Sequence, residues 1–136
     1  MKIMSMEETT GALIELSHTL GGEHRHLAIL GEGNTSARID DSTFLVKASG
    51  SSPGTLGAND LVECRFDALL EMLDRSDMTD RQIGDSLLAC RVNPDARKPS
   101  VEALFHAYLL SLPGVNFVGH THSVAVQRHP LLAAFA

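Results

Sequence analysis

The stretch Pro113-Gly114-Val115-Asn116-Phe117-Val118-Gly119-His120-Thr121-His122-Ser123-Val124 sets the terms for the rest of the chain. Pro113-Gly114 is a turn signal, and Val115, Phe117 and Val118 favour an extended backbone, so Val115 to His120 reads as a short strand. Side chains alternate along such a strand, which places His120 and His122 on the same side. Their ring nitrogens can then converge on one cation, because neutral imidazole is a common ligand for zinc and related divalent metals. Two imidazoles do not complete a site that needs three or four ligands. Two surface histidines where a strand meets a loop would look the same, so the neighbouring sequence has to decide.

Working outward, the 136 residues suit one domain, 1–136, long enough for a real core. Net charge is −6 and the 11 Lys and Arg form no basic run, which argues against nucleic acid as a partner. No apolar segment has the length needed to cross a bilayer, so no membrane partner is expected, and Met1-Lys2-Ile3-Met4-Ser5 lacks the apolar core of a secretory signal. Cys64 and Cys90 are not in a Cys-x-x-Cys pair. A reduced, cytoplasmic setting with both thiols buried as small hydrophobes is the expectation.

Toward the N-terminus, Ser5 caps a first helix with Glu7 and Glu8 in its opening turn and Leu13, Ile14, Leu16 and Leu20 as its apolar stripe, ended by Gly21-Gly22. His24 and His26 repeat the His-x-His spacing beside Glu23 and Arg25, in a polar turn that reads as solvated. Ala37 to Ile39 and Thr43 to Ala48 read as strands joined by the turn Asp40-Asp41-Ser42. Leu61 to Phe66 is a further strand, followed by a short helix from Asp67 through Leu73. Asp80 to Arg91 suits a helix with one buried face. Ser100 caps a helix from Val101 to Leu112, with Leu104, Phe105, Tyr108 and Leu109 as the expected apolar side. A last helix is expected to begin near Ser123.

Gly33 to Ser36 and Ser49 to Gly54 are rich in glycine and hydroxyl groups, as loops that hold a phosphate are, although ordinary turns share that composition. Glu102, in the first turn of its helix, suits dipole complementarity or a general acid/base near a metal. His106, four residues on, shares its face and reads as a packed histidine before a ligand.

Gly33-Asn34-Thr35-Ser36, Lys47-Ala48-Ser49-Gly50, Pro99-Ser100-Val101-Glu102 with Phe105-His106, and Gly119-His120-Thr121-His122 occur in this order and spacing. Together they resemble the class II aldolase/adducin family of metal-dependent sugar-phosphate enzymes, across roughly residues 8 to 130. A His-x-His strand also opens the (β/α)8 amidohydrolases, but a whole barrel must follow it and only 14 residues follow His122.

The resemblance implies an α/β fold: a three-layer α/β/α sandwich on a mixed, largely antiparallel sheet, C-terminally short. It implies that Gly33, Asn34, Ser49, Gly50 and Ser100 bind the substrate's phosphate, that Glu102 moves the catalytic proton, and that His120 and His122 bind zinc or another divalent metal. The activity implied is that of an aldolase, a carbon–carbon lyase, acting on a sugar phosphate or related hydroxy-ketone through a metal-stabilised enediolate. Epimerase or dehydratase chemistry, a non-catalytic adducin-like binding module and a truncated inactive fragment are the alternatives. A homo-oligomer, tetrameric by resemblance, is expected. Val101 stands where the fuculose-phosphate aldolases commonly carry a second serine, and the family's third histidine ligand is expected beyond Ala136.

Overall fold

The Ser5 hydroxyl accepts from the Glu8 amide and the Glu8 carboxylate accepts from the Ser5 amide, so the first helix opens with a closed capping box. The computed structural model describes residues 4–22 and 33–121. In chain order its elements are α1 (Met6–Leu20), β1 (Asn34–Arg38), β2 (Thr43–Lys47), β3 (Leu61–Arg65), α2 (Phe66–Leu73), α3 (Asp80–Ala89), α4 (Ala103–Ser111) and β4 (Phe117–His120). The strands form one sheet in the order β3-β2-β1-β4. Every strand pair among the described residues is antiparallel, which accounts for the largely antiparallel character of the sheet. The expected last helix lies outside the described residues.

The pleat sorts β1 into two faces. Thr35 and Ala37 look toward α1, where Leu13 packs with Ala37 and Leu45. The Ser17 hydroxyl donates to the Leu13 carbonyl at 2.7 Å, which leaves its lone pairs for the Thr35 hydroxyl, also at 2.7 Å. The C-terminus of α1 rests on the loop after β2 so closely that a Cβ on Gly21 would land on the backbone of Gly54. Asn34 and Ser36 look the other way, toward α4. On that side Phe44, Val46, Val62 and Cys64 meet Phe66, Leu69, Leu87, Ala107 and Leu110. Each fully buried Leu, Val or Phe contributes about 1.5–3 kcal/mol, so this larger cluster anchors the layers. Cys64 and Cys90 are fully buried free thiols within it.

Three readings of the sequence are corrected. Strand β1 starts at Asn34, within the stretch expected to be a loop, because pairing with β4 holds buried Asn34 and Thr35 extended and Ser36 is paired on both sides. Helix α4 starts at Ala103 rather than Val101, after a turn in which the Ser100 hydroxyl accepts from the Glu102 amide at 3.2 Å. Its buried face is Ala103, His106, Ala107 and Leu110, while Phe105 and Tyr108 are exposed. The helix is apolar all round, so periodicity could not say which side faces the sheet. Small Ala103 and Ala107 allow the close approach.

The hairpin between β1 and β2 turns on Asp40, whose Oδ1 accepts from the amides of Ser42 and Thr43 at 2.8 Å each. These bonds hold its carboxyl below the ordinary value of 3.8. A lowered native pKa means the turn's contribution is complete above about pH 4 and is lost as pH falls through the native value. Asp40→Ala is expected to cost about 0.5–1 kcal/mol in urea unfolding at pH 7, the low end applying because solvent screens an exposed carboxylate. Asp40→Asn should lose less stability than the native protein between pH 5 and pH 3, as measured by the same unfolding (window from the Asp titration range of about 4 and below).

Candidate metal and substrate site

At one end of the sheet, β1 begins while β2 and β4 finish, and all four of the sequence stretches singled out above meet there. The register of β1 with β4 sets Asn34 opposite His120, and directly opposed residues share a face. An isolated bridge pairs Ala48 with Pro99, and the Ser49 amide donates to the Lys98 carbonyl at 2.9 Å. That carries Ser49 and Gly50 next to Ser100, which in turn holds the Glu102 amide. Gly33 takes φ 92°, a left-handed conformation that suits glycine, at the bend that feeds Asn34 into the strand.

The joining contact is between α4 and β4: His120 Nδ1 lies 3.0 Å from Glu102 Oε2. Both side chains are about 30% exposed, so the pair sits at the mouth of the site rather than in the core. The Phe105 ring approaches His120 edge-on at 5.3 Å between centroids and lies 5.0 Å from the His106 ring, forming an apolar wall. His106 is fully buried, with Nδ1 2.6 Å from the Ser36 hydroxyl. Burial, aided by the neighbouring His120, pushes its imidazole down to about 4, with Glu102 opposing, so the ring is neutral at physiological pH. Among the described residues its Nε2 has no hydrogen-bond partner. Neither polar atom of the Asn34 side chain has one either, although Asn34 is only 1% exposed.

Ligand atoms of Glu102, His106 and His120 all lie within 4.8 Å of one another. A carboxylate with two imidazoles is a donor set that zinc and neighbouring metals accept. That 4.8 Å limit is wider than the roughly 3.4 Å between ligands on a tetrahedral zinc, so the three atoms would have to draw together to share one ion. The residues present therefore fit a divalent cation. His122, His24, His26 and His129 lie outside the described residues. A surface depression lined by Asp41, Ser42, Arg65 and Phe66 sits at the opposite end of the sheet and includes none of these side chains.

Sequence reasoning passed over two cations here. Lys47, treated as a strand residue, is 3% exposed and donates from Nζ to the Ser51 carbonyl at 2.6 Å. Arg97 pairs with Asp60 and reaches the Ser49 carbonyl, bracing the loop. Lys47 directly follows the apolar run Phe44-Leu45-Val46, a setting in which a charge is costly, and that was the available signal. Desolvation lowers its pKa from the ordinary 10.5, while the charge on Glu102 works the other way.

The chain matches the family described as "Class II Aldolase and Adducin N-terminal domain" over residues 12–129. A solved structure of the N-terminal class II aldolase domain of a conserved protein from Thermoplasma acidophilum superposes with a TM-score of 0.75 at 29% identity, covering 99% of this chain and 64% of that one. L-fuculose-1-phosphate aldolase from Thermus thermophilus is similar in fold, with a TM-score of 0.55 at 20% identity over 86% of this chain and 47% of that one. The uncharacterized oxidoreductase YuxG of Bacillus subtilis is 30% identical over 122 residues, covering 84% of this chain and 17% of that protein. The chain thus spans less than two thirds of the length of each.

Because the lowered Lys47 value makes the unfolded chain bind more protons below 10.5, native stability should rise with pH in that window. Urea unfolding from pH 7 to 10.5 should show the native protein gaining on Lys47→Met as pH rises. A constant difference between the two would show that Lys47 is not buried as a charge.

Proposed function

The chain belongs to the class II aldolase and adducin family, and from that premise we propose that it carries the metal and proton-transfer centre of an aldolase. The substrate is a sugar phosphate or a related hydroxy-ketone, and the reaction is reversible cleavage of a carbon–carbon bond. The observation that carries this reading is the 3.0 Å contact of Glu102 with His120, with the unpartnered Asn34 on the same face of the sheet. Buried polar groups are nearly always satisfied, so an orphaned amide beside a titratable pair marks a place for a ligand.

His120, together with His122, would hold zinc or another divalent cation. When bound, that cation supplies Lewis-acid stabilisation of the negative charge that develops on the substrate carbonyl oxygen. Glu102 carries the proton at the reacting carbon, and its hydrogen bond to His120 holds the carboxylate in place for that transfer. Asn34 offers one donor pair and one acceptor to substrate hydroxyl or phosphate oxygens. The Ser49 and Ser100 hydroxyls and the backbone at Gly33 and Gly50 complete the cradle, with buried Lys47 adding positive charge beneath it. Val101 is 55% exposed and brings no hydroxyl, which is why an unphosphorylated hydroxy-ketone stays within the substrate class.

Epimerase and dehydratase chemistry would use the same centre with a different group on the far side of the substrate. The working form we favour is a homo-oligomer, tetrameric by family likeness, in which the exposed Phe105 and Tyr108 beside the site are covered. No described helix is long and apolar enough to cross a membrane, and two buried free thiols suit a reducing compartment such as the cytoplasm.

Metal analysis of the purified protein and retro-aldol assays on ketose 1-phosphates, with the natural full-length chain, test the proposal. One bound equivalent of zinc should be lost in His120→Ala. Glu102→Gln should lower kcat by about 100-fold or more, the usual scale for removing a general acid/base. Undiminished cleavage by Glu102→Gln would take the proton-transfer role away from this residue. Metal bound without any cleavage would favour the non-catalytic binding module.

A further inference from the structure

Cys64 and Cys90 are fully buried free thiols in the larger core cluster, and the proposed reaction does not use them. Backbone pairing brings them together. Cys64 forms an isolated antiparallel bridge with Arg91, flanked by two bonds of 2.9 Å: the Arg65 amide donates to the Cys90 carbonyl and the Val92 amide to the Glu63 carbonyl. Opposed residues in such a pair have Cα atoms roughly 4.5–5.5 Å apart, so Cys90, one residue along, lies about 6 Å from Cys64. A disulfide spans Cα separations of about 4.4–6.8 Å. The thiols also touch. Cys90 donates to the Leu87 carbonyl at 3.1 Å, while Cys64, with the Val62 carbonyl as far off as 3.9 Å, hydrogen-bonds to the Cys90 sulfur.

The surroundings favour a thiolate at Cys90. It closes α3, and two guanidinium groups hold the last carbonyls of that helix: Arg65 donates to Ala89 at 2.6 Å and Arg91 to Leu88 at 2.7 Å. The hydrogen bond from Cys64 holds the Cys90 thiol below its ordinary 9.0 against the opposing effect of burial, and the charges on Arg65 and Arg91 assist. Buried thiols are inert until something uncovers them. Here the cover is slight, because Leu87 is the single buried residue of α3. Local opening of the last turn of α3 uncovers the pair without unfolding the sheet.

We infer that Cys90 and Cys64 form a redox site, in which hydrogen peroxide oxidises Cys90 and Cys64 resolves it to an intramolecular disulfide. The Cys90 sulfur attacks one peroxide oxygen; an S–O bond forms, the O–O bond breaks, and the departing hydroxide leaves as water with the proton the thiol released. The Cys64 sulfur then attacks the Cys90 sulfenic acid; the S–S bond forms, the S–O bond breaks, and a second water leaves with the Cys64 proton. Each sulfur is oxidised by one electron, and the peroxide is reduced to two waters. The new bond ties β3 to the root of the segment 91–99, whose far end pairs Pro99 with Ala48 and offers the Lys98 carbonyl to the Ser49 amide. Oxidation thereby clamps the segment that meets the glycine-rich loop of the candidate site.

The test depends on neither metal nor turnover. The natural full-length protein is treated with hydrogen peroxide, its remaining thiols are alkylated, and its tryptic peptides are mapped by mass spectrometry without reduction. A linked pair of peptides carrying Cys64 and Cys90 is expected, about 2 Da lighter than the two reduced peptides together and separated by dithiothreitol. In the linked protein the amides of Cys90 and Val92 should exchange with deuterium about 10-fold more slowly. Cys64→Ala should leave Cys90 as a sulfenic acid that dimedone captures, whereas Cys90→Ala should leave Cys64 uncaptured. Should either variant fail to melt cooperatively, the linked peptides of the native protein still decide. Their absence, or their appearance only in urea-unfolded protein, would overturn the redox site. Dimedone capture at Cys64 in Cys90→Ala would reverse the order of attack and overturn the roles assigned, and unchanged exchange would overturn the clamp.

Discussion

The antiparallel pairing of β1 with β4 is the constraint on which the rest depends. It sets Asn34 against His120, Thr35 against Gly119 and Ser36 against Val118. A slip of one residue would turn every β1 side chain to the other face, sending Asn34 and Ser36 toward α1 and Thr35 toward α4. The Ser17–Thr35 bond on one face and the Ser36–His106 bond on the other would be lost together. Two buried hydrogen bonds on opposite faces therefore lock one register, where the polar run Asn34-Thr35-Ser36 offers no hydrophobic alternation to do so. Gly119 adds a steric lock, since a Cβ there would run into the Leu20 side chain of α1.

Much of this is legible in the residues. The capping box at Ser5, the hairpin at Asp40, the strand from Leu61 and the proximity of Glu102 to His120 all follow from local chemistry. What escapes reading is what only the third dimension decides. β1 begins inside a stretch whose composition says loop, because its partners rather than its own propensity hold it extended. Side-chain size misleads about the orientation of α4, because both sides are apolar and the choice falls to the small residues that permit close packing. Lys47 closes a strand-prone run and so reads as one more strand residue, and the place of His106 is hidden by the ambiguity of α4.

That ambiguity has a chemical consequence. With Phe105 and Tyr108 inward, His106 would sit on a flank of the helix and could not reach Ser36. With Ala103 and Ala107 inward, the helix approaches the sheet, His106 is driven beneath it, and Glu102 is brought over the end of β4. Phe105 is then free to lie against the His106 and His120 rings at the rim of the site. The same two alanines thus fix the packing distance of α4 and the relation of its acid to the strand histidine.

The energetics point the same way. Among the described residues, the buried side-chain polar atoms without a partner are the amide oxygen and nitrogen of Asn34 and Nε2 of His106, and both residues belong to this end of the sheet. Each such atom costs on the order of 1–3 kcal/mol, comparable to the total margin of a small domain when summed. At the other end of the sheet, Asp40 accepts from two amides, and Arg38 and Arg65 reach backbone carbonyls. A fold that satisfies its polar groups there, yet leaves three unmet here, carries its cost where a ligand can remove it. The pattern of satisfied and unsatisfied groups, more than any single motif, is the physical argument that this end of the molecule exists to bind something.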